Sequence, residues 1–333
     1  MRITRETLLK LAHDTALERV RLNRRIICVY LTGSLLHEEP LLGGTGDIDL
    51  FIIHDSQPGV EREVVRLSEE IHLDIAHLSQ DVFRQPRQLR THPWIGPFIT
   101  AHPLVYHDVQ HWFEFTQASI TSQFTEPDNV VQRARRLADA ARRSWLDVNA
   151  SPQAAPTVVW KFLKALENAG NAVATLSGSP LCERRFLIEY PQRMVALGRP
   201  ELSAGLLEIF APIPVEENTW QAWQPHWQQA AHTAGQQPDC PPRLVSFRYH
   251  YYQRAAQALR EQNPAAALWI CLRNWTEAVS SLPAGDPASA PWQQALQTLN
   301  LSGDGFHTRL EALDVYLDRV DETLDEYARQ MGA

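Results

Sequence analysis

The chain has little of what would mark it as a disulfide scaffold, a zinc module, a membrane protein or a polyanion binder. Its four cysteines, Cys28, Cys182, Cys240 and Cys271, are scattered, with no Cys-x-x-Cys pair and no histidine at ligand spacing. That pattern excludes a disulfide framework and a structural zinc site, and leaves reduced, buried thiols. Lysine occurs only at Lys10, Lys161 and Lys164, and the formal net charge is -8. A duplex binder neutralises many phosphates with clustered Lys and Arg, so the charge works against a broad nucleic-acid surface. No run approaches the roughly 20 apolar residues of a membrane span, and the first residues lead directly into an amphipathic helix without the apolar core of a signal peptide. A cytoplasmic protein with no membrane partner is expected, and there is no internal repeat.

What is present is the composition of a globular protein able to bury a sizeable core: 333 residues, 44% hydrophobic and 21% charged. Domains usually run to about 100–200 residues, so at least two are expected. Residues 4–23 carry apolar side chains at helical spacing. Residues 25–32 are short, β-branched and almost wholly apolar, as in a strand buried on both faces. A second strand over 49–53, a helix over about 60–70, a third strand over 71–78 and a fourth over 104–107 complete a small first domain, 1–115. From 116 to 333 the periodicity is helical, at 130–145, 158–174, 191–197, 202–210, 247–259, 265–279 and 306–330, with proline-marked breaks and a loop over 282–291. The expected fold is therefore α+β: a small mixed sheet followed by an all-α bundle.

The residues that carry chemistry lie in the first domain. An apolar strand ends at Gly33-Ser34, and after twelve intervening residues Asp47-Ile48-Asp49 opens the next strand. Alternate strand residues share a face, so Asp47 and Asp49 present their carboxylates side by side while Ile48 turns inward. Two such charges are costly together unless a cation lies between them. Asp74, between apolar Leu73 and Ile75 in the third strand, supplies a third carboxylate. Hard oxygen ligands of this kind suit magnesium, and three can hold two ions. Gly33 permits a sharp turn and Ser34 can meet a phosphate oxygen, while residues 43–46 give a flexible return to the second strand.

In these residues the sequence resembles the DNA polymerase beta-like nucleotidyltransferase superfamily. The resemblance covers about residues 5–115 and rests on Leu31-Thr32-Gly33-Ser34, on the Asp-Ile-Asp strand opening, and on the later strand around Asp74. It implies Mg2+-supported transfer of a nucleoside monophosphate from a nucleoside triphosphate, ATP or another, with pyrophosphate released. Asp47, Asp49 and Asp74 would bind metal, Asp74 would also help activate the acceptor, and Gly33 and Ser34 would hold the triphosphate. The sequence departs from many relatives in having His37 where they place Arg or Lys.

The helical domain is similar in layout to that of single-chain enzymes modifying small molecules, including aminoglycosides, which implies a cleft between the domains. In the helix around 160–174, Lys161, Lys164, Asn168 and Asn171 fall on one polar face with Glu167 beside it. That concentration points to Lys161 or Lys164 as a triphosphate contact and Glu167 as base towards the acceptor, a small molecule or a protein, with Arg184-Arg185 a further phosphate or substrate contact. The alternatives are a catalytically silent nucleotide-binding regulator, and the nucleotidyltransferase partner of a toxin–antitoxin pair acting on protein or RNA.

Each feature also has a plainer reading. Gly33-Ser34 with Asp47 and Asp49 could be an ordinary strand–turn–strand, but that leaves Asp74 unexplained. Lys161, Lys164 and Glu167 fit the solvated face of an amphipathic helix. Arg133, Arg135, Arg136, Arg142 and Arg143 are diluted by acidic neighbours and read as a solvated face. Trp220, Trp223 and Trp227 recur as a packing stripe. His72 shares its strand face with Asp74, and His77 points the other way.

Overall fold

The protein is described from a computed structural model that covers residues 3–211 and 213–333. It is an α+β chain, a small mixed sheet followed by helices, as its sequence pattern leads one to expect. The chain forms two compact units, Met1–Val130 and Val131–Ala333.

In the first unit, α1 (Arg5–Leu22) begins at Thr4, whose hydroxyl accepts from the Thr7 N–H as an N-cap, and buries Leu8, Ala12 and Ala16. Five strands follow, β1 (Ile26–Thr32), β2 (Gly46–His54), β3 (Arg62–Arg66), β4 (Ile71–Ser79) and β5 (Leu104–Asp108), in the order β3-β4-β2-β1-β5. The β2–β4 pair is parallel and the others are antiparallel. One sheet face packs Val29, Leu31, Ile48, Leu50, Ile52, Leu73 and Ile75 with α1. The opposite face packs Cys28, Tyr30 and Ile53 with α2 (Pro86–Arg90), α3 (Ile95–Thr100) and α4 (Trp112–Thr121) through Leu89, Ile99, Phe113 and Ile120. Inner strands covered on both sides need apolar residues at consecutive positions, which is why β1 and most of β2 lack alternation.

One expectation fails here for a reason of tertiary pairing. Residues 60–70 are not helical. Val64 and Val65 are β-branched, and they pair antiparallel with Asp74 and Leu73 of β4. Ser68 then closes the β3–β4 turn, its hydroxyl accepting from the Glu70 and Ile71 N–H groups. The three short helices α2–α4 were also not legible in the sequence, and the boundary expected at 115 falls inside α4.

The second unit has no strand among its described residues. Helix α5 (Pro127–Asn149) leads into it, followed by α6 (Pro156–Ala174), α7 (Phe186–Ala196), α8 (Pro200–Phe210), α9 (Glu217–Gly235), α10 (Tyr249–Leu259), α11 (Pro264–Ser280), α12 (Ser289–Thr298) and α13 (Gly303–Met331). Helices α6 and α11 are the inner ones: α11 buries nearly every residue from Ala266 to Val279. Helix α12 begins inside the stretch expected as loop. Trp220, Trp223 and Trp227 of α9 are buried, and the Trp227 indole N–H donates to Asn274 of α11 at 2.8 Å.

Two of the α5 arginines are engaged by acidic residues of α13: Arg142 meets Asp314, Asp318 and Asp321, and Arg135 meets Asp325, while Arg133, expected on a solvated face, is buried. Of the cysteines, Cys28 and Cys271 are buried, but Cys182 is exposed and Cys240 half-buried, contrary to the expectation of four buried thiols. None forms a disulfide.

Candidate metal centre

The parallel register of β2 against β4 sets Asp49 opposite Asp74 and Asp47 opposite His72. Paired residues in a sheet point to the same face, so all four side chains project together, away from the α1 side. One carboxylate oxygen from each of Asp47, Asp49 and Asp74 lies within 4.8 Å of the other two, and no other such ligand group occurs among the described residues. Asp47 and Asp74 are buried and Asp49 is half-buried. Three converging carboxylates withdrawn from water form a donor set that could hold a metal ion, and hard oxygen donors favour hard cations.

Gly33 fits closely against this centre. Its φ of 82° and ψ of -160° lie in a region essentially reserved for glycine. A Cβ there would overlap the Asp49 carboxylate, so the absent side chain is what lets the turn lie against Asp49. Ser34 then opens a single 3-10 turn, Ser34–Leu36, capped by the His37 N–H donating to the Ser34 carbonyl at 3.0 Å. His37 is exposed. The return at residues 43–46 is ordered: Gly43 and Gly44 both have positive φ, and Leu42 and Thr45 exchange backbone hydrogen bonds across them. This is the tight two-residue hairpin turn that two glycines favour, not a flexible link.

Two neighbours of the triad come from the sheet itself. The Arg62 guanidinium grips Asp74 with both prongs, Nε to Oδ1 and Nη2 to Oδ2, each at 2.6 Å. His72 is wholly buried, and its Nδ1 stands 3.5 Å from Asp47 Oδ1. Arg62 escaped the sequence reading because it fell in the segment taken as helix; a strand there would have aligned it with β4. On the opposite face, His54 Nε2 and His77 Nδ1 are 3.0 Å apart, and His77 Nε2 lies 3.4 Å from Glu63. Thus His72 and His77 do face opposite ways.

The residues picked out in the helical unit are engaged by neighbours within that unit. Lys161 pairs with Asp147 at 2.7 Å. Lys164 Nζ donates to Glu167 at 2.7 Å, and Arg273 Nη2 donates to the same carboxylate at 3.2 Å. Burial would raise the Glu167 carboxyl, but Arg273 and Lys164 outweigh it and bring it down to about 2. A carboxylate so strongly held has little proton affinity, which weakens Glu167 as a general base in this arrangement. Asn171, expected on the same polar face, is instead buried and clamps the backbone of Leu181 through both ends of its amide. Arg184 lies over the Tyr251 ring, 3.5 Å from its centre, and donates to the Tyr251 carbonyl.

Glu167 belongs to a larger charged cluster that the sequence did not reveal. Arg273 is wholly buried, with its guanidinium 3.4 Å from the centre of the Trp160 ring. Arg243 lies 3.3 Å from Glu183 and 3.6 Å from Glu277. No protein-family model matches the chain, and a search of curated proteins finds no match.

Proposed function

We propose that the first unit is a nucleotidyltransferase of the DNA polymerase beta-like kind, working in the cytoplasm. It transfers a nucleoside monophosphate from a nucleoside triphosphate, ATP in the first instance, to a hydroxyl of a small molecule or protein. The single observation that carries this reading is the convergence of the Asp47, Asp49 and Asp74 carboxylates within 4.8 Å beside the Gly33 turn.

Asp47, Asp49 and Asp74 would hold Mg2+, with two ions expected for three carboxylates. A magnesium ion held by these residues would supply charge neutralisation to the triphosphate and Lewis-acid activation of the acceptor. The remaining work falls to the chain. The Gly33-Ser34 turn brings backbone and hydroxyl donors to the phosphates without a side chain in the way. Ile48, Leu73 and Ile75, locked in the core behind the acids, fix the carboxylates in place.

In the reaction the acceptor oxygen bonds to the α-phosphorus, the bond from that phosphorus to the bridging oxygen breaks, and pyrophosphate leaves with the electron pair. Asp74 would help activate the acceptor as part of the metal-binding set, and the hydroxyl proton passes to solvent. In the helical unit, Lys161 and Lys164 remain proposed triphosphate contacts, and such a role requires each to exchange its present carboxylate partner for phosphate.

Incubation with labelled ATP, Mg2+ and candidate acceptors tests the reading, with Asp47→Ala/Asp49→Ala as control. Label transferred by the wild type and lost in the control supports it, and label on a co-expressed protein identifies a partner system. Nucleotide binding without any turnover would replace the enzyme with a nucleotide-binding regulator.

A further inference from the structure

Asp74 is an inner-strand residue, flanked by β2 and β3, and is almost wholly buried. Both of its oxygens are engaged by one guanidinium at 2.6 Å. Such a fork-to-fork pair is among the strongest hydrogen-bonded contacts that a carboxylate makes. The same carboxylate is one of the three whose oxygens converge as a metal-ligand set. Asp74 therefore has two claimants.

We propose that Arg62 is a resident counter-cation that competes with a divalent ion for Asp74, so that the centre loads as the guanidinium lets go. The inference rests on the metal reading of the triad given above. Three features support competition over simple co-existence.

The first is charge. A cation held on Asp74 repels a divalent ion drawn to the same oxygens, and withdraws the electron density that the ion would use. The second is freedom to move. Arg62 is the first residue of the edge strand, and its side chain is 47% exposed against 5% for Asp74, so the arginine can swing into water while the carboxylate stays. The third is register. Arg62 is paired in the ladder with Ala76, and only its long side chain reaches back to Asp74. The contact is thus separable from the pairing of β3, and truncating Arg62 leaves the ladder in place.

A positioning role, with Arg62 aiming Asp74 at the ion, makes the opposite prediction, and metal affinity separates the two without reference to turnover. Mn2+ binding to the full chain is measured by the loss of the free-ion paramagnetic resonance signal. Wild type is compared with Arg62→Ala and Arg62→Gln, with Asp47→Ala/Asp49→Ala as baseline and thermal unfolding as the check on folding. Arg62→Gln keeps a shorter, uncharged polar side chain should the alanine variant fold poorly.

Competition predicts that the Arg62 variants bind Mn2+ on the order of tenfold more tightly, since a site competent a tenth of the time binds about tenfold more weakly. Saturable binding that is no tighter in the variants overturns the inference and leaves the metal reading standing. If neither the wild type nor the variants bind above the baseline, the metal reading falls and the inference with it.

Discussion

One missing methyl group shapes the centre. Gly33→Ala would force a Cβ into the Asp49 carboxylate at a backbone conformation that alanine strongly resists. The expected outcome is a loss of about 1–3 kcal/mol in urea unfolding, together with loss of Mn2+ binding; an alanine variant as stable as the wild type would mean that the turn relaxes freely. Glu277 is a second residue whose role is set by surroundings. Burial raises its carboxyl, Arg243 pulls it part of the way back, and Glu183 pushes it up again, to about 7. The folded chain therefore keeps, between pH 4.5 and 7, a proton that the unfolded chain has released. Stability from this group is fully present at low pH and declines as pH rises through 7. Glu277→Gln, which mimics the protonated form, should raise the melting temperature at pH 8, with a smaller gain at pH 5. A variant less stable than wild type at pH 8 would show that the Arg243 contact outweighs burial.

Among the elements, the contact of α6 with α11 is where a charged pair has been drawn into the core. Arg273 is wholly buried between the Glu167 carboxylate and the Trp160 ring. Removing one member of a buried pair leaves the other uncompensated, so Arg273→Ala should cost about 3–5 kcal/mol in denaturant unfolding. The apolar double replacement Glu167→Leu/Arg273→Met should recover most of that. A double variant no better than the single would mean that the wider cluster, with Lys164 and Arg243, depends on these charges as a unit. Strand β3 makes a related point in the first unit. Its five residues carry too weak a local signal to decide between helix and strand, and pairing with β4 settles it. The same pairing brings Arg62 within reach of Asp74, so a wrong element and a missed site residue have one cause.

At the scale of the whole molecule, the buried His54–His77 pair of the first unit and Glu277 of the second push stability in opposite senses as the pH falls. Burial lowers the proton affinity of His54 and of His77, which also face one another. A histidine depressed below its ordinary 6.5 disfavours the folded state once the unfolded chain can take a proton, so the first unit weakens as pH falls below that value. The Glu277 contribution runs the other way. Calorimetry from pH 5 to 8 should move the sheet unit's transition up and the helical unit's down, an effect abolished by His54→Phe/His77→Phe for the first and Glu277→Gln for the second. The net charge of -8 gives another whole-chain expectation, since the α5 arginines Arg135 and Arg142 are taken up by the acidic face of α13. Fluorescence polarisation at physiological salt should show no saturable binding of a labelled RNA or DNA duplex; tight, salt-sensitive binding would contradict it.

The sequence by itself determined the order of the two structural classes, most helices, and the Gly33-Ser34, Asp47-Ile48-Asp49 and Asp74 positions. These are written in local periodicity, in turn residues and in charges placed within apolar strands, all readable over a few neighbouring residues. The tertiary structure alone decided that β2 lies parallel to β4 with Asp49 against Asp74, that Arg62 grips the same carboxylate, and that Glu167 is held by Lys164 and Arg273. Those facts depend on which distant segments pair and in what register, and strand pairing and burial of charge are properties of the assembled core, beyond the reach of any local pattern.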